Sequence, residues 1–77
     1  MEIEIKLDVC GLEPPEPLER VLDALSRLAH GQRLCMLIDR EPRLLYGILD
    51  RNGFAYETRP RADYLVEILI WHRPTGT

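Results

Sequence analysis

Apolar and polar side chains alternate from position 2 to position 8, with Ile3, Ile5 and Leu7 on one parity and Glu2, Glu4 and Lys6 on the other. A period of two predicts a strand with one buried face. Leu18, Val21, Leu22, Leu25, Leu28 and Ala29 then recur at helical spacing and predict a first amphipathic helix. Pro15 and Pro17 suit its first turn, where amide hydrogens have no intrahelical partner. Glu16 and Glu19 at that end, and Arg27 near the other, agree with the helix dipole, and Gly31 predicts the stop. Residues 34–38, Leu-Cys-Met-Leu-Ile, are apolar at both parities and predict a central strand covered on both sides. Leu44, Leu45, Ile48 and Leu49 predict the inner face of a second helix, opened by Pro42 and closed at Asn52-Gly53. Gly47 weakens that helix by about 1 kcal/mol relative to alanine. Two further strands, residues 54–59 and 64–71, flank Pro60-Arg61-Ala62-Asp63, and Glu67 is a partly wet position in the last. Residues 74–77 read as a frayed tail.

The order βαβαββ predicts an α+β two-layer sandwich with both helices on one face of the sheet. A right-handed crossover joins the first two strands in parallel. Both proline-led helices then start at the carboxyl ends of parallel strands, the usual ligand edge of such a sheet. That edge gathers Glu13, Glu16, Asp39, Arg40 and Glu41, joined by Arg59 and Arg61 if the third strand is also parallel. The competing reading is of solvated loop charges, worth about 0–1 kcal/mol per pair.

Leu7-Asp8, Gly11-Leu12, Pro15 and Pro17 together resemble the opening motif of the TusA-like (SirA-type) sulfur-carrier superfamily. Its members read roughly Leu-Asp-x-x-Gly-Leu-x-Cys-Pro-x-Pro, and the cysteine carries a persulfide. Here Pro14 stands at the cysteine position, as in an uncharacterised branch of that superfamily. The resemblance implies a single domain over residues 1–73 and a four-stranded mixed sheet ordered 1-2-4-3, with the last strand antiparallel to the others. For a working carrier it also implies a persulfide donor such as a cysteine desulfurase, and a downstream sulfur acceptor.

Composition narrows the choice. A chain of 77 residues, 45% hydrophobic and 30% charged, fits one soluble domain. Net charge is −3 with acids and arginines interspersed, which argues against a nucleic-acid partner. No apolar run is long enough to span a bilayer and no signal-peptide pattern is present, so the expected location is cytoplasmic, without a membrane. Pro14 cannot act as a nucleophile, and Pro14-Pro15-Glu16-Pro17 strips amide donors from the first helical turn, which disfavours an anion cradle. Cys10 is the alternative carrier beside an ordinary, unactivated thiol, because a reactive cysteine needs an environment that favours thiolate. Cys35 reads as an inert core thiol. His30 reads as a contact to the first helix's last carbonyls. The cysteines and His30 and His72 lack metal-ligand spacing, so no metal or cofactor is expected. Trp71, Tyr56 and Tyr64 read as core or sheet-face aromatics rather than a stacking surface. No triad, phosphate loop or dinucleotide fingerprint occurs.

The reading that follows is a non-catalytic adaptor that binds a partner protein or small ligand, as monomer or weak homodimer. Its surface comprises Gly11, Leu12, Glu13, Pro14, Pro15, Glu16 and Pro17, then Asp39, Arg40, Glu41 and Pro42, with Arg59 and Arg61. The alternative is a persulfide relay through Cys10. A third reading is a redox or metal-linked sensor pairing Cys10 with a histidine, or a fragment that assists a larger enzyme.

Overall fold

The periodicities become elements in the computed structural model, which describes residues 3–74. They run β1 (Ile3–Asp8), α1 (Glu16–Ser26), β2 (Gln32–Ile38), α2 (Arg43–Arg51), β3 (Phe54–Pro60) and β4 (Val66–His72). Glu2 of the alternating stretch, and the expected tail beyond Pro74, lie outside the described residues. The sheet order is β1-β2-β4-β3, with β1 and β2 parallel and β4 antiparallel to both neighbours. Strand β3 therefore points the same way as β1 and β2. The carboxyl ends of three strands share one rim.

Register decides what is buried. Leu34 lies between Ile5 and Ile70, and Met36 between Leu7 and Ile68, so these rows share one face. On that face α1 packs over β2 and α2 over β3. Val21 and Leu25 of α1, Leu45 and Leu49 of α2, and Phe54 close the core over Leu34, Met36, Ile38, Ile68 and Ile70. Tyr46 and Tyr56 stack at 4.9 Å beside it, and the Tyr46 hydroxyl shares a 2.9 Å hydrogen bond with Thr58.

Among the described residues, no helix lies on the opposite face. Strand β2 is thus not covered on both sides as its composition predicts: Cys35 and Leu37 turn to the bare face and are only half-buried. Leu69, between Cys35 and Glu57, is nevertheless 4% exposed, because neighbouring side chains close over it. Arg33 sits on this face with its guanidinium 4.9 Å from the Trp71 ring centre.

Four local readings change. Helix α1 stops at Ser26, where the amides of Arg27 and Leu28 reach back three residues to Ala24 and Leu25 and tighten the last turn. Leu28 stays in the core from the connection. Gly31 (φ +90°) serves a separate turn, in which the Gln32 amide donates to the Ala29 carbonyl and the Ala29 amide donates to the Gln32 side chain. His72, not His30, reaches the carbonyl near the end of α1: its Nε2 lies 2.7 Å from the Leu28 oxygen, and His30 stacks on the His72 ring at 4.2 Å. Leu44 is 81% exposed while Leu45 is buried: the two diverge by about 100° around the axis, and the inner arc of α2 centres on Leu45 and Leu49.

Tyr64 is the fourth. It belongs to the β3–β4 turn rather than to a strand, and holds φ +67° with the residue 93% exposed. A bulky side chain in the left-handed region costs about 1–2 kcal/mol. Glycine relieves that strain but adds freedom to the unfolded chain worth about 0.4–1 kcal/mol. Tyr64→Gly should therefore stabilise the fold by about 0.5–1 kcal/mol. Chemical denaturation checks this; a lower midpoint would show that the ring contributes packing.

Candidate functional site

Both proline-led turns leave the sheet on the shared rim, and a cleft of about 370 Å³ opens between them. Leu12, Pro14, Pro15, Pro17 and Leu18 form one wall. Asp39, Arg40, Glu41, Pro42 and Leu44 form the other. Val21, Met36, Ile38 and Leu45 make the floor, so the core itself surfaces here. The lining is mainly carbon with a few charges at the mouth, the usual make-up of a small-ligand or side-chain pocket.

One hydrogen bond ties the two walls. Gly11 turns at φ +78°, which glycine adopts without a steric penalty, and its amide donates to Asp39 Oδ2 at 3.1 Å. Asp39 Oδ1 lies 3.9 Å from the Arg40 guanidinium, a loose pair at the mouth. The main chain offers few donors. Prolines occupy 14, 15, 17 and 42, the Glu16 amide bonds the Glu13 carbonyl at 2.9 Å, and the Arg43 amide bonds the Glu41 carbonyl at 3.1 Å.

The predicted residues divide accordingly. Eight of them line the cleft: Leu12, Pro14, Pro15, Pro17, Asp39, Arg40, Glu41 and Pro42. Gly11 sets the spacing of its walls and Glu13 caps the connection, without lining it. Glu16 points along α1 and pairs with Arg20 at 3.1 Å. Arg59 pairs with Glu57 at 2.6 Å on the helix-free face, and that bond holds its guanidinium above the ordinary range. Arg61 reaches the same rim through the β3–β4 turn but pairs with Asp63 at 3.0 Å. Leu18 and Leu44 are wall residues that periodicity assigns to the core. The local pattern at Leu44-Leu45 holds no signal for this, because the apolar stripe of a helix can include adjacent residues.

Cys10 lies beside the cleft and is not among its lining residues. Its amide donates to Asp8 Oδ1 at 2.9 Å, which holds the Asp8 carboxyl below its usual range. Burial pushes the Cys10 thiol up to about 11, and the carboxylates of Asp8, Asp39 and Asp63 add to the effect. Cys35 is raised too, first by burial and then by Glu67 and Glu4. Neither thiol has the electropositive setting of a reactive cysteine. Among the described residues, no group of three or more His, Cys, Asp and Glu side chains could hold a metal ion, and no helix is long and apolar enough to cross a membrane.

The architecture is that of a SirA-like fold. The chain is similar to the crystal structure of a SirA-like protein from Desulfitobacterium hafniense, with a TM-score of 0.76 and 23% identity over 86% of this chain and 93% of that one. Residues 6–72 match the family described as "Uncharacterized conserved protein (DUF2249)", and the chain belongs to that family. No curated protein matches it.

Proposed function

We propose that this protein is a non-catalytic binding module, whose cleft between the two proline-led helix starts receives an apolar group of a partner protein or a small ligand. One observation carries the reading: the position that holds the carrier cysteine in the resembling motif is Pro14, part of the cleft's apolar wall. The cleft keeps a floor of core side chains and a mouth with Asp39, Arg40 and Glu41. A wall of proline and leucine suits recognition by burial, with mouth charges adding orientation.

Leu44→Glu and Arg40→Glu test the cleft without touching the core, since both side chains are largely exposed. Partners captured from the native cell by wild-type protein should bind each variant about tenfold more weakly, the ratio made by about 1.4 kcal/mol. Glu19→Lys, a change in α1 outside the cleft, should bind as wild type. Equal binding by all three variants rejects the cleft. The relay alternative is tested separately by incubation with a persulfide donor. A stable gain of one sulfur atom on Cys10, absent in Cys10→Ser, would replace the binding reading with sulfur transfer.

A further inference from the structure

We infer that β1 is an association edge, pairing antiparallel with β1 of a second copy in the one register that centres the two-fold axis on Ile5. Strand β1 ends the sheet, and no strand covers its outer side among the described residues. Helix α1 packs chiefly over β2, and Ile3 and Ile5, although on the helix side, remain 57% and 37% exposed. Apolar side chains on an uncovered edge mark a template for further pairing.

The hydrogen bonds restrict the register. Ile3 donates to the Gly31 carbonyl at 3.4 Å, and Val9 donates to the Leu37 carbonyl at 2.9 Å. Odd-numbered amides thus turn inward to β2, and Glu4, Lys6 and Asp8 present their main-chain groups outward. An incoming antiparallel strand must bond those even positions, so even meets even and odd meets odd. Three symmetric registers of useful length remain, centred on residue 4, 5 or 6. Centring on residue 4 sets Glu4 against Glu4 on the axis, with Lys6 and Glu2 opposed only at the ends, and centring on residue 6 sets Lys6 against Lys6 and Glu4 against Asp8. Like charges directly opposite are unfavourable. Centring on Ile5 instead sets Glu4 against Lys6 twice, Ile3 against Leu7 twice, and Ile5 against itself. The next pair outward would oppose Asp8 and Glu2, so the ladder ends at Leu7.

The same register joins the exposed isoleucines. Its axis is perpendicular to the sheet, which leaves both helix layers on one side and runs Ile3, Ile5 and Leu7 of the two copies into one apolar strip between them. Ile5 sits at a non-hydrogen-bonded pair, where side chains approach most closely. Five residues per strand make a small interface, so the dimer is weak and forms at high protein concentration. It leaves the cleft open, and its fate is independent of the binding reading above.

Sedimentation equilibrium from micromolar to millimolar protein should show wild type moving from monomer to dimer. Lys6→Glu should weaken association at least about tenfold, and Glu4→Lys with Lys6→Glu should restore it, because the swapped charges again oppose across the axis. In a Cys10→Ser, Cys35→Ser background, Ile5→Cys should form a disulfide-linked dimer on mild oxidation. Its two Cα atoms, about 4.5 Å apart in such a pair, suit that bond. Glu4→Cys, two residues out of step with its own copy, should not. Wild type that stays monomeric at millimolar concentration, a dimer indifferent to Lys6→Glu, or cross-linking at Glu4→Cys as fast as at Ile5→Cys would each overturn the proposal. Far-UV circular dichroism of every variant verifies folding.

Discussion

Leu45→Ala should destabilise the domain by about 2–5 kcal/mol, while Leu44→Ala one residue earlier should change stability by less than about 0.5 kcal/mol. The side chains are chemically identical and differ in burial, 1% against 81% exposed. Truncating Leu45 removes apolar contact with the core and leaves a void where α2 meets the sheet, and interiors relax only partly around such voids. For 77 residues the whole folding free energy is about 4–12 kcal/mol, so this single loss can leave a large unfolded fraction at room temperature. Urea denaturation measures both, and the denaturant slope should stay near wild type. If Leu44→Ala proved the costlier change, α2 would be turned about its axis and the cleft wall would not exist. A Leu45→Ala protein that still folds should also have a deeper cleft floor.

Alkylation of Cys10 should be half-maximal near pH 11 and, at neutral pH, about a hundredfold slower than that of an unstructured cysteine. The sign follows from the surroundings. Burial disfavours the charged thiolate, and Asp8, Asp39 and Asp63 repel it, so the proton is held to higher pH. Iodoacetamide rates across pH, with Cys35→Ser removing the second thiol, give the profile. Asp8→Asn should move the midpoint down, because it deletes one of those carboxylates, and full denaturation should return it to the ordinary range. A midpoint below pH 8 would contradict the geometry and favour sulfur transfer through Cys10.

Much of this architecture was legible in the chain. Alternation at Ile3, Ile5 and Leu7, the stripe from Leu18 to Leu25, and the two proline starts are local signals that survive folding unchanged. Sheet order rested on the family resemblance, since periodicity alone does not say which strands pair. The misreadings share a cause. Residues 34–38 are apolar at both parities, yet burial depends on whether anything lies above the sheet, and here one face is bare. Leu28 keeps helical spacing although the helix has ended, because the connection carries it into the core. Tyr64 has strand propensity, but the turn beginning at Arg61 takes precedence. At the site, both loops were recognised from their prolines and charges. What could not be seen was that Glu16, Arg59 and Arg61 spend their charges on neighbours, while Leu18 and Leu44 complete the walls.

The scarcity of main-chain donors around the cleft has a consequence for how the fold can diversify. A pocket that grips through its backbone imposes the same chemistry on every descendant, whatever the side chains become. This mouth has prolines at four positions, and the Gly11, Glu16 and Arg43 amides are already engaged. Under the proposed binding reading, selectivity falls to replaceable groups such as Arg40, Glu41 and Leu44, and exchanging them would redirect the scaffold to a new guest without rebuilding its frame.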